Sequence, residues 1–598
     1  MPGLLQFFLR IFRKFNPVFN NRVFSGFIIL VFCILTLWNI DYPGLNTDEA
    51  TNGVPSVNIF RDAGDIAGGK VPLLYCHVVL FDKIFPVMQS QYCGATVAYL
   101  AFPFVRLFGP SALALRICSV FFLSVFLFFL YYFCYHWFGR KVAILASLIA
   151  ATNLAFVQYG RIGLYRTEIF VMLFFWVGLF CLLRYAQGKR LFFLVLGCVL
   201  FGLSLSIKIT FLYYVPALIV AYLLVGRKPE ILGTLNIKEL GLMLFSFCLG
   251  ASLLIIYNIM NPWVMFKQLY AVLTDAQATS ANTIGEGVRN VEYFNNLGQR
   301  FMHFFELLKG DISERLFWGI NGNFFIEAIS FLAVVLVLFS LILLLAAVFF
   351  SAHLPKVIKS RIIFIYVLYA IVLFLSPFTM SGLNQGHLLV MFPFPQVALA
   401  IFLCYLWDLA SLKKKTWAKA LVGITAAFII LFNIFMNLYY NRQLKETGGS
   451  GRWSTAINEL ADYLVDKNIS SVLMFDYDLH ANLIFLTGNR VVPVIYDKFY
   501  PHPVALAYNQ LSSAQGQVFY LAIYPDDTED KRLLLDRFYQ KQGNPDGKKY
   551  WKLAFDYKST HYQDLFMQYI KESGKKKQLE KVFLNRAGYP VYWLYRVS

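Results

Sequence analysis

The chain has 598 residues, of which 58% are hydrophobic and only 15% charged, whereas soluble proteins carry charge on about a quarter of their residues. The formal charge of +19 does not signal a nucleic-acid partner, because the basic residues lie in short clusters between apolar segments, where cytoplasmic membrane loops concentrate Lys and Arg. Composition and charge pattern therefore exclude a soluble globular protein and describe a polytopic α-helical membrane protein.

The N-terminus carries Arg10, Arg13, Lys14 and Arg22 before a long apolar stretch without a small-residue cleavage site, which reads as an uncleaved first span. Segments long enough to cross a hydrocarbon core of about 30 Å as helices recur near 24–40, 112–135, 142–158, 168–183, 191–207, 209–225, 240–259, 324–350, 362–377, 388–408 and 417–438, eleven in all. An N-terminus in the cytoplasm puts Arg140-Lys141, Arg184 with Lys189-Arg190, Arg227-Lys228, Lys356 with Lys359 and Arg361, and Lys413 to Lys415 on the cytoplasmic side, as the positive-inside bias requires. The odd count sends the C-terminus outside, together with loops 41–111 and 260–323 and the turns near 159–167 and 378–387.

After the first span comes Asp41-Tyr-Pro-Gly-Leu-Asn-Thr-Asp-Glu-Ala50. Pro43 and Gly44 break the preceding helix, Thr47 is placed to cap a new one, and Asp48 and Glu49 fall in its first turn. Acidic residues there complement the helix dipole whatever else they do, so the pair alone is as consistent with a plain helix start as with chemistry. Farther along the loop, Val57–Ala67 and Val78–Phe85 mix apolar and polar faces and read as helices lying in the membrane interface. Cys76 and Cys93 share this loop and can either bridge, if it faces an oxidising compartment, or stay as two thiols. No CxxC pair occurs, so no zinc site is signalled.

The 260–323 loop carries Arg289, Arg300, His303 and Glu306, and loops of this length are commonly functional. Beyond about residue 440 the composition turns soluble, with Gly448-Gly449-Ser450-Gly451 as a hinge. A helix over Ala456–Val465 and strands near Ser471–Phe475, Arg490–Val494, Val518–Ile523, Lys552–Phe555 and Val591–Val597 predict a small α/β domain. It has neither a GxGxxG nor a Walker loop, and Asp476, Asp478 and His480 read as polar residues ending a strand rather than as a site. The expected division is residues 1–440 as a membrane domain and 441–598 as an extracytoplasmic α/β domain.

Charge near a membrane is costly and marks function by default. Here it is lopsided: Asp48, Glu49, Arg116, Arg161, Arg166, Glu168, Lys208 and His387 all sit at outer ends of spans, whose centres are nearly free of charge. A transporter would place charge near the bilayer midplane, whereas one outward-facing polar site explains this distribution. Carboxylates beside Arg, Lys and His suit transfer of a group from an anionic phosphate carrier to a hydroxyl. A carboxylate accepts the hydroxyl proton, and the cations stabilise charge on the departing phosphate, which needs no second acid to protonate it. The bland alternatives are that Arg116 and Lys208 only snorkel and that His387 is structural.

Several stretches, in order, carry a resemblance: Thr47-Asp-Glu-Ala50; Phe85 to Gly94 with Phe108 to Arg116; Gly160 to Glu168; Gly202 to Lys208; and His387 to Pro395. The chain resembles the GT-C superfamily of polyprenyl-phosphate-sugar-dependent glycosyltransferases, in the branch of protein O-mannosyltransferases and the aminoarabinose transferase that modifies lipid A. The resemblance implies a GT-C fold of about eleven transmembrane helices with a C-terminal soluble domain, and a cavity open to a lipid carrier from the bilayer. It implies Asp48 as catalytic base with Glu49 beside it and Glu168 supporting, although the family more often has Asp at that last position. Arg161, Arg166, Lys208 and His387 are expected at the donor phosphate, with Arg116, Arg289 and Arg300 as possible support.

The expected function is an inverting transfer of a sugar from a polyprenyl-phosphate donor to an extracytoplasmic acceptor: a lipid-linked glycan, a lipopolysaccharide or a protein hydroxyl. Other readings are a flippase or exporter of polyprenyl-linked glycans, or a non-catalytic scaffold that binds a lipid phosphate. No cofactor is expected to be essential. Adjacent carboxylates leave a divalent cation possible, while the cations could neutralise the phosphate unaided. The expected location is the bacterial inner membrane, with membrane lipids as further partners.

Overall fold

A computed structural model describes residues 17–67, 76–90, 92–225, 236–264, 266, 267, 270, 292–310, 324–378, 383–449, 451–475, 479–495, 517–522, 557–588 and 590–598. Arg289, Asp476, Asp478 and the proposed strand Lys552–Phe555 lie outside these residues.

Each predicted span falls on helix. Among the described residues, six helices are long and apolar enough to cross a membrane, Ala112–Phe138, Glu168–Gly188, Ala328–Phe350, Lys356–Leu375, Phe394–Leu412 and Thr416–Thr447, and two bent pairs raise the number to eight. Asn21–Leu37, Leu191–Ile207 and Ile209–Val225 are apolar but shorter. The protein is an integral, multi-pass membrane protein.

Two predicted spans are broken. Arg140–Thr152 and Leu154–Arg161 meet at 56°, because Asn153 leaves the helical region and caps the second helix, its side chain accepting from the Phe156 N–H at 3.1 Å. Ile237–Gly250 and Ser252–Met260 meet at 71°. Just before that bend, Gly250 packs so tightly on the Leu191–Ile207 helix that a Cβ there would lie 2.1 Å from the Val199 carbonyl oxygen, and a Cβ on Gly202 would lie 2.1 Å from that of Phe247. Helix packing in membranes relies on such small residues.

The outer loop corrects the expectation of interfacial helices. Val78–Phe85 is instead the heart of an antiparallel hairpin, Cys76–Leu80 with Lys83–Ser90. Its turn residues Phe81 and Asp82 both have positive φ, 52° and 57°, the geometry that matches strand twist in a two-residue turn. Cys76 and Cys93 are both free thiols. The helices of this loop are Thr47–Asn58, the single turn Gly64–Ala67, and Thr96–Phe108.

Past Thr447 lies a small sheet domain. Among the described residues its five strands run in the order Val494–Ile495, Leu473–Met474, Val518–Ala522, Pro590–Val597, Lys577–Leu584; the first three are parallel and the last two pair antiparallel. The helix Ala456–Asp466 and the apolar residues Leu460, Leu464, Val472, Met474 and Leu594 form one core layer. The domain sits against the Thr47–Asn58 helix. Trp453, Ala481, Ile484 and Phe485 belong to the same buried cluster as Leu115 and Ala50 of the membrane part.

Candidate active site

The site begins at the helix Thr47–Asn58. Asn46, not Thr47, caps it, with its side-chain oxygen accepting from the Asp48 N–H at 2.9 Å, so Thr47 is the first helical residue. Neighbours on a helix point about 100° apart, and the acidic pair is split accordingly. Asp48 faces outward, its side chain 53% exposed, and pairs with Arg166 at 3.2 Å. Glu49 turns inward, fully buried, into a two-pronged pair with Arg116, both N···O distances being 3.1 Å. The Arg116 guanidinium also donates to the carbonyls of Ile40 at 2.7 Å, Pro43 at 2.8 Å and Gly44 at 3.2 Å. Arg116 therefore ties the end of the first span to the start of the Asp48 helix, and does not merely snorkel.

Arg166 is held on three sides. Its guanidinium carbon lies 4.0 Å from the centre of the Tyr165 ring, and it donates to the Tyr165 hydroxyl at 2.7 Å. A Cβ on Gly386 would come within 2.7 Å of its Nε, so the segment that carries His387 lies directly against it.

Behind this surface pair is a buried cluster. Glu168, the first residue of its helix, has no exposed side-chain surface; its Oε1 accepts from Lys208 Nζ at 2.6 Å and from His387 Nδ1. Glu168 Oε2 is buried with no hydrogen-bond partner among the described residues. Lys208 sits at the break between Leu191–Ile207 and the 3₁₀ turn Ile209–Tyr213. Its backbone is bridged to Cys93 of the outer loop, an approach so close that a Cβ on Gly94 would lie 1.9 Å from the Ser206 carbonyl oxygen. Burial works most strongly against the charge on Lys208, but Glu168, by charge and hydrogen bond, together with Cys93 and Tyr92 outweighs it and leaves the ammonium firmly protonated. Burial also holds His387 down to about 3; Glu168 opposes this and Lys208 adds to it. The imidazole is thus neutral and donates its Nδ1–H to the carboxylate.

Tyr92 joins the two groups. Burial chiefly pushes its phenol up to about 12, and Cys93, Lys208, Asp48 and Glu168 all act on it electrostatically. The Lys208 ammonium stands 5.6 Å from its ring centre. Tyr92 and Tyr165 lie within stretches that carry the resemblance, Phe85 to Gly94 and Gly160 to Glu168, but nothing in the sequence marks them or Gly386 as neighbours of the charged groups.

The structure brings together Asp48, Arg166, Glu168, Lys208 and His387, and separates three arginines from them. Arg161 is fully buried and donates to Asn441 Oδ1 and to the carbonyls of Trp38, at 3.0 Å, and Asn39. Arg116 is committed to Glu49 and three carbonyls. Arg300, also buried, donates to the carbonyls of Ser376 at 3.1 Å and Asn384 at 2.9 Å. It steadies the segment leading to His387. His303 and Glu306 lie on the same helix, Tyr293–Lys309. Nor do Asp48 and Glu49 form a joint site for a divalent ion, since Glu49 is already engaged by Arg116. Among the described residues no three His, Cys, Asp or Glu side chains converge.

Residues 95–257 match the sequence profile of the dolichyl-phosphate-mannose-protein mannosyltransferase family, a stretch holding Arg116, Arg166, Glu168 and Lys208 but neither Asp48 nor His387. No curated protein matches in sequence. Among solved structures, ArnT of Cupriavidus metallidurans bound to undecaprenyl phosphate is similar with a TM-score of 0.50 and 12% identity, over 83% of this chain and 92% of that one. The oligosaccharyltransferase of Archaeoglobus fulgidus in complex with zinc and sulfate is similar with a TM-score of 0.50 and 11% identity, over 96% of this chain and 88% of that one. The chain is a polytopic membrane protein with a fold similar to that of the GT-C glycosyltransferases ArnT and the archaeal oligosaccharyltransferase, and within it residues 95–257 match the protein mannosyltransferase profile.

Proposed function

We propose that the protein is an inverting glycosyltransferase that moves a sugar from a polyprenyl-phosphate donor to a hydroxyl acceptor on the extracytoplasmic side. The observation that carries this reading is the exposed Asp48 carboxylate paired with Arg166 beside the buried Glu168–Lys208–His387 cluster. In this reading Asp48 accepts the proton of the attacking hydroxyl. Arg166 and Lys208 stabilise negative charge on the departing phosphate, and neutral His387 is a second donor near it. Glu168 acts through Lys208 and His387, fixing both by one oxygen. The pairing of Asp48 with Arg166 suits the exchange this chemistry needs, because a phosphate drawing on Arg166 loosens its hold on the base.

The undecaprenyl phosphate bound by the similar ArnT supports a lipid-phosphate donor. The lipid, glycan or protein acceptor reaches the site from the face that also carries the C-terminal domain, residues 441–598. A bacterial inner membrane with the N-terminus in the cytoplasm fits the placement of basic clusters. Glu49 is engaged by Arg116 and Asp48 by Arg166, and in this reading the protein's own cations carry the phosphate charge.

The test is Asp48→Asn in purified protein reconstituted with polyprenyl-phosphate sugars. Loss of transfer by at least about a hundredfold, the low end for removing a general base, with undecaprenyl phosphate still bound, is expected. Unchanged transfer would sink the assignment of the base. Unchanged export of a lipid-linked glycan without any transfer would favour a carrier instead.

A further inference from the structure

We propose that the C-terminal sheet domain is a clamp on the active site, with Asn482 and Trp453 as positioning residues for the Asp48–Arg166 pair. The inference rests on the functional reading above only in naming that pair as the reactive edge.

Both partners of the pair are propped by this one domain. On the Asp48 side, the Gly44 N–H donates to the Trp453 carbonyl at 2.6 Å, and Asn482 Nδ2 donates to the Leu45 carbonyl at 2.6 Å. Leu45 directly precedes Asn46, the residue that caps the Asp48 helix. Asn482 is fully buried, so this hydrogen bond is sheltered from water. Gly44 admits no side chain, since a Cβ there would lie 2.1 Å from the Ser454 carbonyl oxygen. On the Arg166 side, the Trp453 indole meets the Tyr165 ring edge-on at 5.0 Å and 74°, and Tyr165 is the platform on which Arg166 lies.

The far end of the same helix is held as well. Asn489 Nδ2 donates to Asn58 Oδ1 at 2.7 Å, and Arg61 donates to the Gly488 carbonyl at 3.1 Å. Between the two ends, Gly53 faces Phe485, which a Cβ would approach to 3.0 Å. A soluble domain that only decorated the surface would have no reason to bury an amide against the residue before a helix cap. Such contacts fix where the helix starts, and so where Asp48 points relative to Arg166.

The experiment uses the full-length chain in nanodiscs, with undecaprenyl phosphate as the probe. Asn482→Ala and Trp453→Ala should each change its affinity about five- to tenfold, the coupling expected between residues joined in one network, while Trp453→Phe, which keeps the edge-on ring, stays within about twofold. In an Asp48→Asn background the effect of Asn482→Ala should largely vanish; additive effects would mean a role separate from the pair and overturn the inference. Amide hydrogen exchange across 44–58 and 163–167 should rise in Asn482→Ala and in Gly44→Ala, and unchanged exchange in both segments would also overturn it. If the unmodified chain does not bind undecaprenyl phosphate, the functional reading fails, and the exchange measurement then decides the clamp by itself.

Discussion

Two adjacent carboxylates illustrate how burial divides chemistry from architecture. Asp48 and Glu49 are one residue apart, yet one is half-exposed and the other has no exposed surface. Removing one partner of a buried ion pair leaves an uncompensated charge and costs roughly 3–5 kcal/mol, whereas exposed pairs contribute about 0–1 kcal/mol. Arg116→Met should therefore lower yield and melting temperature sharply, while Asp48→Asn leaves both nearly unchanged and abolishes activity. Thermal melts of the two variants in one detergent check the contrast; equal destabilisation would contradict it.

A second residue-level expectation concerns acid. His387, held to about 3, and His480, which burial holds to about 4, both titrate near 6.5 when unfolded. Between these values the unfolded chain binds more protons than the folded one. Stability therefore rises with pH through this window and levels off above about 6.5. Melting temperature should fall between pH 6.5 and 4, and His480→Asn should flatten part of that slope; an unchanged slope in the variant would show that His480 does not carry it. From the sequence, the membrane-edge placement of Asp48, Arg166, Glu168, Lys208 and His387 was legible because charge there is costly. Which of them touch was not, since Glu168, Lys208 and His387 come from three distant segments. The same placement also drew in Arg161, which the fold spends on backbone carbonyls.

At the scale of elements, long apolar runs made the spans readable, and breaks within them were not. The bend after Gly250 adjoins a close backbone contact between two helices, a property of the pair that neither segment displays alone. Gly202→Val would drive a side chain into the Phe247 carbonyl, and overpacking of this kind costs about 1–3 kcal/mol or more. The expected result is a lower melting temperature, with Gly241→Val, where a Cβ meets nothing within 4 Å, as the control for the glycine change itself. Similar losses in both variants would mean that helix crowding is not the cause. The Val78–Phe85 hairpin reads as a helix in the sequence because its apolar and polar residues also fit a helical face, and its turn is Phe-Asp rather than the Asn-Gly or Asp-Gly that announces a hairpin. In the C-terminal domain the strand Lys577–Leu584 carries no strand signal in the sequence because its outer half is polar and exposed, while the buried Val518–Ala522 and Pro590–Val597 are plain from their β-branched and aromatic runs.

For the molecule as a whole, the helices differ in what they face. Ala328–Phe350 and Thr416–Thr447 leave most of their apolar surface outside the protein core, with Phe331, Ile342, Phe428 and Leu431 exposed, as suits contact with lipid chains. Glu168–Gly188 is largely enclosed by protein, and it is this enclosed helix that begins at the buried carboxylate.

Arg116 gives the outer loop an unequal tolerance for change in length. One guanidinium grips the chain at Ile40, Pro43 and Gly44 and again at Glu49, so the stretch between those grips works as a ruler. Deleting one residue there would turn the next side chains by about 100°, sending Asp48 toward the protein interior and stranding Arg116. At the other extremity of the loop, Phe81 stands 95% exposed at the hairpin turn, where added residues disturb no such grip. Natural or engineered variation in the length of this loop should accumulate at the hairpin tip and be absent between Gly44 and Glu49. Expression of single-residue deletions in the ruler beside insertions of two or three residues at Phe81-Asp82 would show whether the chain keeps that measure.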